Sequence, residues 1–316
     1  MKCILLDRES LDIGDIDLSP IERHCAEFIS YPFTPVEIIM ERLESAEIAI
    51  TNKVVITAET LQHLPRLKLI CVAATGYNNV NIKAAKENGV AVCNVTGYAT
   101  SSVTQHVFTL ILSLVRSLPD YLQDVQMHQW QQSRQFCLLG HPIIDLADKT
   151  LGIIGYGELG RAVAKVGEAF GMKVLIAESL TGKKSPGRVP LDILLQTADV
   201  VSLHCPLSEE SRNLINQKTL RLMKKSAFLI NAARGGIVNE DDLWQALIHK
   251  EIAGAAVDVL SQEPPVKNKL IDKPLPNLIV TPHIAWASQN SRQKLIDEVG
   301  LNIQSFLDGE MRNRLC

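Results

Sequence analysis

Three ionisable side chains in the second half of the chain could together move a proton and bind an acid. Arg234 lies among small residues, Glu263 precedes two prolines, and His283 follows an apolar run. The planar guanidinium of an arginine suits the carboxylate of a keto acid. Histidine titrates near neutral pH and can protonate the alkoxide that forms when a ketone is reduced. A nearby carboxylate would favour the imidazolium and orient the ring.

Taken one at a time, these residues also have ordinary interpretations. Arg234 could make a surface salt bridge, Glu263 could be a solvated loop charge, and a lone histidine is usually structural. Their shared position favours chemistry, because each comes after a predicted strand, and open α/β sheets bind ligands at the carboxyl ends of their strands. Asp258 also closes an apolar strand, where a charge must face solvent, a ligand or a partner.

A glycine-rich segment has the pattern of a site for a dinucleotide, which could carry the hydride of such a reaction. Residues 150–160 read TLGIIGYGELG, an apolar run that leads into residues at helical spacing. Gly155 permits a tight turn, Gly157 lets the backbone approach a pyrophosphate, and Gly160 lets helix and strand pack closely. The N–H groups and positive dipole end of the helix would hold the phosphates. The alternative is a strand–turn–helix unit with no ligand.

The residue after the next predicted strand bears on the choice of cofactor. Glu178 stands 18 residues after Gly160. A carboxylate at this place can bind the ribose hydroxyls and repels an additional 2′-phosphate. We therefore predict NAD rather than NADP, with Lys183 and Lys184 as the nearby residues that could reverse this preference.

Parallel strands must position all these residues, and the hydrophobic pattern predicts two sets of them. Short apolar runs alternate with helical patterns, which is typical of α/β proteins with parallel sheets. We predict two doubly wound domains, a flavodoxin-like one and a Rossmann one. The predicted strands are 3–6, 47–50, 68–72 and 90–94, followed by 151–155, 173–177, 199–203, 227–231, 254–258 and 278–281.

Two helices bear on domain organisation and assembly. A helix that begins near Ser102 and ends before Pro119 is apolar on most of its circumference and must be buried, between domains or at a subunit interface. An amphipathic helix over 291–307 is expected to return to the first domain and make it discontinuous. The predicted domains are 1–99 plus 289–316 for substrate and 100–288 for the cofactor.

Composition excludes several classes of protein. The 316 residues are 46% hydrophobic and 21% charged, with a formal net charge of −3, so we expect no nucleic-acid or membrane surface. No GxSxG or HExxH motif is present, which disfavours a serine hydrolase or a metal site. The seven cysteines have no CxxC spacing, and Cys3, Cys71 and Cys93 lie in apolar runs, where thiols act as small hydrophobes. A reduced, cytoplasmic enzyme is expected.

Motifs along nearly the whole chain resemble those of the D-isomer-specific 2-hydroxyacid dehydrogenase family. They are GYGELG at 155–160, LHCPL at 203–207, NAARGG at 231–236, VDVL at 257–260 with Glu263 and Pro264, and TPH at 281–283. The loop AATGYNNV at 73–80 and the helix SVTQH at 102–106 resemble further family segments. Segments 73–78, 130–140 and 285–288 resemble most the members that act on glycerate and hydroxypyruvate.

The resemblance implies a role for each candidate residue. Arg234 would bind the substrate, His283 would be the acid/base with Glu263 as its partner, and the amides of Ala74, Thr75 and Gly76 would bind the substrate carboxylate. Asp258 would face the nicotinamide amide. The cofactor-binding set would be Thr75, Gly155, Gly157, Glu158, Leu159, Gly160, Glu178, Cys205, Ala232, Asp258 and His283. The family's dimer helix would place a homodimer interface on residues 102–117.

The predicted activity is NAD-dependent interconversion of a 2-keto acid and a D-2-hydroxy acid, with hydroxypyruvate or glyoxylate reduced to D-glycerate or glycolate. One alternative is an NAD-sensing, corepressor-like interaction module on the same fold. Phosphoglycerate dehydrogenase fits less well, because no basic residues are placed for a substrate phosphate. Formate dehydrogenase would have glutamine in place of Glu263. Trp130 and Trp286 could wall a substrate pocket or act as packing anchors.

Overall fold

A computed structural model describes residues 1–182 and 185–316, so Lys183 and Lys184 lie outside the described residues. The chain forms two compact units, Met1–Ala99 with Trp286–Cys316 and Thr100–Ala285. The second junction lies three residues before the predicted one at 288/289. The reason is that the Trp286 ring packs edge-to-face on the Tyr98 ring, with centroids 6.3 Å apart, inside an apolar cluster of the first unit.

The first unit is built on a five-stranded parallel sheet. Its strand order, β2-β1-β3-β4-β5, is that of flavodoxin-like folds, as predicted. Strands β1, β3, β4 and β5 form because continuous apolar runs can be buried on both faces of a parallel sheet. The strands are β1 Lys2–Leu5, β2 Glu27–Ser30, β3 Ile48–Thr51, β4 Leu69–Val72 and β5 Ala91–Cys93.

Both faces of this sheet are covered by helices. The short ones are α1 Ser19–Glu22, α2 Ile39–Leu43, α3 Ala58–Gln62 and α4 Ile82–Glu87, with 3₁₀ turns at Arg8–Ser10 and Val36–Ile38. The last helix of the chain, α12 (Gln289–Leu307), is capped by Ser288, whose hydroxyl accepts a hydrogen bond from Ser291 N. Its buried residues pack on the sheet beside Leu5 and Ile48. This helix therefore belongs to the first unit.

The prediction that Cys3 is a reduced thiol, acting as a small hydrophobe, is wrong. Cys3 Sγ is joined to Cys25 Sγ in a disulfide, with 5.8 Å between the Cα atoms. Parallel pairing places Cys3 opposite Phe28, which brings the segment before β2 next to β1. Strand β2 was not predicted, so no sequence feature suggested that these two cysteines pair.

The second unit contains a six-stranded parallel sheet with the order β11-β10-β9-β8-β6-β7. It is a Rossmann-type sheet with one strand, β7, outside β6, where the most familiar Rossmann order has two. The chain runs from β6 outward to β7 and then crosses back to β8, so the switch point lies between β6 and β8. The strands are β6 Thr150–Ile154, β7 Lys173–Ile176, β8 Val200–Leu203, β9 Phe228–Asn231, β10 Gly254–Val257 and β11 Leu278–Val280.

Helix α5 (Thr100–Val115) corresponds to the predicted apolar helix. It packs on α7, β9 and β10 of its own unit, which buries Val107, Leu110 and Ile111. The other helices are α6 Leu118–Gln126, α7 Glu158–Ala169, α8 Leu191–Thr197, α9 Gln217–Leu220, α10 Glu240–Ile248 and α11 Lys269–Asp272, with a 3₁₀ turn at Gly235–Ile237. Much of the apolar surface of α5 is thus covered within the unit.

Candidate active site

The glycine-rich turn follows β6 at the switch point of the second sheet. Gly155 has a φ of +95°, and a Cβ there would overlap the backbone of Cys205, at the end of β8. A Cβ on Gly160 would overlap the carbonyl oxygen of Gly155. Around Gly157, by contrast, a Cβ would meet no atom within 4 Å. The turn is therefore tight on its protein side and open at Gly157, as a cradle for a pyrophosphate must be.

Helix α7 begins at Glu158, directly after Gly157. Because the first turn of a helix leaves N–H groups without intrahelical partners, Glu158 and Leu159 present donors at its positive end. The Glu158 carboxylate accepts a hydrogen bond of 2.5 Å from the Thr100 hydroxyl, at the start of α5. This bond joins the turn to α5.

Glu178 comes after β7 and is fixed through its backbone. Its N–H donates to the carbonyl oxygen of Val189 at 2.8 Å, and Ala177 pairs with Val189 as an isolated bridge. The neighbouring Arg188 guanidinium lies 5.9 Å from the centre of the Tyr156 ring, within the glycine-rich turn. A carboxylate and a cation thus stand in the segments at the adenosine end of the candidate cofactor site.

The wall behind the turn is uncharged near neutral pH. Burial lowers the pKa of His204 to about 4, and its Nε2 lies 2.8 Å from the Ser202 hydroxyl. Burial also raises the pKa of the Cys205 thiol. A neutral imidazole and a protonated thiol suit a surface on which an uncharged ring can lie.

His283, which follows β11, and Glu263, which follows β10, form a hydrogen-bonded pair. His283 Nδ1 lies 2.6 Å from Glu263 Oε2, while Glu263 Oε1 accepts a hydrogen bond from Leu260 N at 2.8 Å. Both side chains are partly exposed, at 28% for His283 and 35% for Glu263. His283 has a φ of +56°, a left-handed conformation that costs about 1–3 kcal/mol and persists only when the surrounding structure imposes it.

Asp258 is buried directly under this pair. One carboxylate oxygen accepts hydrogen bonds from Ile284 N and from the Thr281 hydroxyl, and the other accepts from Ala285 N. Burial raises the pKa of Asp258, but hydrogen bonds from His106, Thr281 and the two amides outweigh this effect and lower the pKa overall. Asp258 is therefore a carboxylate at neutral pH, bound to the protein's own backbone.

The Arg234 turn is built by Asn231, the last residue of β9. Asn231 Oδ1 accepts from Ala233 N at 3.1 Å, and Asn231 Nδ2 donates to Arg234 O at 2.9 Å. The Arg234 guanidinium donates to Ala233 O at 2.7 Å. Gly235 lies against the backbone of Leu260, where a Cβ would overlap it. This contact sets the Arg234 turn beside the loop that carries Glu263.

The predicted site residues are divided between the two units of the chain. Arg234, Asp258, Glu263 and His283 follow the adjacent strands β9, β10 and β11, with Ala232 in the Arg234 turn. Ala74, Thr75 and Gly76 follow β4 of the first unit. Their loop is fixed by hydrogen bonds from the Thr75 hydroxyl to Val95 O and from Asn94 Nδ2 to Thr75 O.

Three residues that build the site were not predicted to take part in it. Asn231 and Thr281 stand inside quoted motifs, so their positions next to Arg234 and His283 were the available signal. His106 Nε2 lies 3.0 Å from the Thr281 hydroxyl, although 175 residues separate the two. Only the packing of α5 on the sheet reveals that contact.

The two tryptophans have different surroundings. Trp286 packs on Tyr98 within the first unit. Trp130 is 52% exposed, and its indole N–H donates to Phe136 O.

Within residues 1–182 and 185–316, no group of three or more His, Cys, Asp or Glu side chains is arranged to hold a metal ion. No helix in the same part of the chain is both long and apolar enough to span a membrane.

A Rossmann-type sheet, an open glycine-rich turn at its switch point and a histidine–carboxylate pair at its rim define a nucleotide-dependent dehydrogenase. Residues 108–285 match the family model described as "D-isomer specific 2-hydroxyacid dehydrogenase, NAD binding domain". The chain belongs to the D-isomer specific 2-hydroxyacid dehydrogenase family, and its cofactor is NAD.

The relatives of the chain include enzymes of defined substrate. It is 46% identical over 313 residues to the glycerate dehydrogenase of Methylorubrum extorquens, covering 99% of this chain and 98% of that one. It is 36% identical to the hydroxypyruvate reductase of Blautia hydrogenotrophica, covering 99% of both. The structure of D-lactate dehydrogenase from Aquifex aeolicus, complexed with NAD and lactic acid, superimposes with a TM-score of 0.81 at 28% identity, covering 98% and 96% of the two chains.

Proposed function

We propose that this protein reduces hydroxypyruvate or glyoxylate to D-glycerate or glycolate. The observation that carries the proposal is the His283–Glu263 pair, at 2.6 Å, beside the turn that bears Arg234. A protonated imidazole and a guanidinium are what the reduction of a short keto acid requires. The similarity to a glycerate dehydrogenase and a hydroxypyruvate reductase supports this substrate class.

The residues around the glycine-rich turn fit the cofactor. Gly157 leaves open space where a pyrophosphate would lie, and the N–H groups of Glu158 and Leu159 would bind it. The Glu178 carboxylate would bind the ribose hydroxyls, and Cys205 and Ala232 would line the site. NADH, when bound, supplies the hydride that adds to C2 of the keto acid.

The remaining steps belong to side chains of this chain. Arg234 would bind the substrate carboxylate. The amides of Ala74, Thr75 and Gly76, in the first unit, are also proposed to bind a carboxylate, as the family resemblance implies. His283 would donate its proton to the carbonyl oxygen as the alkoxide forms, so that no free alkoxide accumulates. Glu263 would stabilise the imidazolium before the transfer and orient it through Nδ1.

The proposed assembly is a homodimer that uses residues 102–117 and their flanks. Support comes from the segment after α5, because that segment exposes several large apolar side chains and a soluble monomer rarely exposes so many together. These are Leu118, Leu122, Val125, Met127, Trp130, Phe136, Leu139 and Ile143.

We also propose a cytoplasmic location, although the Cys3–Cys25 disulfide is more typical of oxidising compartments.

A panel of 2-keto acids tests the proposed function. NADH oxidation by the purified protein is measured with hydroxypyruvate, glyoxylate, pyruvate and 3-phosphohydroxypyruvate. We expect kcat/KM to be highest for hydroxypyruvate or glyoxylate. A higher value for the phosphorylated acid, or no oxidation with any acid despite tight NADH binding, would contradict the proposal. The second outcome would favour the NAD-sensing module.

A further inference from the structure

The backbone that carries His283 is held by one buried residue. Asp258 is 1% exposed, and its carbonyl oxygen accepts a hydrogen bond from His283 N at 2.8 Å. Its two carboxylate oxygens accept from Ile284 N and Ala285 N, each at 2.9 Å. Three successive amides are thus fixed by Asp258, at a place where His283 has a φ of +56°. A non-glycine residue keeps this conformation only when its surroundings impose it.

Helix α5 supplies the other half of this arrangement. His106 Nε2 lies 3.0 Å from Thr281 Oγ1 and 3.4 Å from Asp258 Oδ1. The Thr281 hydroxyl donates to Asp258 Oδ1 at 2.6 Å, so its oxygen accepts the Nε2 proton of His106. The His106 side chain is only 16% exposed. Its ring therefore closes the polar side of a buried carboxylate that would otherwise lack one of its donors.

We propose that His106 is a positioning residue for the reaction. Through Thr281 and Asp258 it fixes the left-handed backbone of His283, which in turn holds the imidazole against Glu263. This inference rests on the proposed function, because it assigns His283 the acid/base role. It also gives Asp258 a role through the backbone, whereas the family resemblance implies contact with the nicotinamide.

The two roles of Asp258 make different predictions for His106. Misplacing an acid/base by about 1 Å can cost about 100-fold in rate. We expect His106→Ala to lower kcat by about 10- to 100-fold. The NADH Kd should change by less than about threefold, because in this proposal His106 acts on the His283 backbone and not on the cofactor. His106→Gln, which keeps an N–H donor, should recover most of kcat. Thr281→Val, which removes only the hydroxyl, should resemble His106→Ala.

A spectroscopic measurement keeps the inference separate from the proposed activity. In protein labelled with ¹³C-histidine, the His283 signal is identified by its loss in His283→Ala. We expect it to shift and broaden in His106→Ala and Thr281→Val and to return towards the wild-type position in His106→Gln. Gln105→Ala, on the exposed side of the same helix, is the matched control and should change neither the signal nor kcat.

The outcomes divide clearly. If the His283 signal shifts in His106→Ala and Thr281→Val but the protein reduces no keto acid, His106 positions His283 and the proposed function is overturned. An unmoved signal with normal kcat in both His106→Ala and Thr281→Val would overturn the positioning alone. A rise in NADH Kd that matches the loss of kcat would also overturn it, because the network would then act on the cofactor. Should His106→Ala fail to fold, Thr281→Val alone decides.

Discussion

At the scale of single residues, the two oxygens of the Glu263 carboxylate make hydrogen bonds to different partners. Oε1 is fixed by Leu260 N and Oε2 faces His283 Nδ1. The first contact orients the carboxylate, so the second can orient the ring with little loss of entropy on substrate binding. A charge and a geometric restraint thus reach His283 from the same side chain.

Replacing Glu263 separates these two effects. Glu263→Gln keeps a polar group of the same size but removes the charge that favours imidazolium. Reduction needs a protonated donor, so Glu263→Gln should lower kcat for keto-acid reduction. His283→Ala should lower kcat further, by about 10²–10⁴-fold. The kcat of both variants for keto-acid reduction checks this, and near-normal kcat in His283→Ala would assign the proton to another group.

We propose that Glu178 discriminates between NADH and NADPH, two cofactors that differ by one phosphate. We expect kcat/KM with NADH to exceed that with NADPH by at least about tenfold, which needs only about 1.4 kcal/mol. Glu178→Gln, which removes the charge and keeps the shape, should narrow this ratio. Arg188 precedes Val189, whose carbonyl oxygen accepts the hydrogen bond from Glu178 N, so the double change Glu178→Gln with Arg188→Ala shows whether this cation contributes to the ratio. Equal use of both cofactors by the wild-type protein would refute this assignment.

The partly buried imidazole of His204 gives a prediction for stability. Its pKa is about 4 in the folded protein against an ordinary value of 6.5, because burial disfavours the charged form. Between these two pH values the unfolded chain binds the extra proton, so the free energy of unfolding falls as the pH is lowered from 6.5 towards 4. His204→Gln cannot take up this proton and should lose less stability over the same range. Urea titrations at several pH values measure the free energy of unfolding of both proteins. If it falls equally with pH in the wild-type protein and in His204→Gln, this account is contradicted.

At the scale of elements, the strands were the predictable part. All ten predicted strands are present to within one residue at each end. Eight of them have at least three buried residues, and the edge strands β7 and β11 were recognised from apolar runs that are only partly buried. Strand β2, with the sequence EFIS, was missed. It lies at the edge of the sheet, pairs only with β1 and contains only two apolar residues, so its hydrophobic pattern is too short to distinguish it from a loop.

The contacts between distant elements could not be predicted. Arg234, Glu263 and His283 were found because each follows a strand, and parallel strands end at one rim. Their supports come from elsewhere: Asp258 is bound from helix α5 by His106, and Cys3 is joined to a cysteine before the unrecognised β2. Such pairings depend on three-dimensional packing, for which local periodicity gives no signal.

Two adjacent glycines test how the loops of the site are packed. A Cβ on Gly235 would overlap the backbone of Leu260 and Ser261, which cannot give way without moving the Glu263 loop. Gly235→Ala should therefore lower both kcat/KM, by about tenfold or more, and the melting temperature. On Gly236 a Cβ would meet the ends of two flexible side chains, Leu207 at 3.2 Å and Arg212 at 3.9 Å. Gly236→Ala is the control, and equal effects of the two changes would contradict this account.

At the scale of the whole molecule, the apolar residues that remain exposed are unevenly distributed. Helix α5 is packed within its own unit, yet the segment that follows it exposes the large apolar side chains named above between residues 118 and 143. A patch of this kind normally marks an interface, since exposing it to water is unfavourable. Because most soluble oligomers are symmetric dimers, one segment facing its own copy would bury both sets of side chains.

Sedimentation equilibrium at micromolar concentration measures the predicted homodimer. The wild-type protein should sediment at twice the 34.9 kDa of the chain. Leu122→Glu places a charge on α6, where Leu122 is 54% exposed, and should shift the equilibrium towards monomer because an unpaired charge would be buried in the interface. Ile13→Glu is the control, since Ile13 belongs to the first unit and is 82% exposed. A monomeric wild-type protein would exclude the dimer, and dissociation by Ile13→Glu instead of Leu122→Glu would place the interface on the first unit.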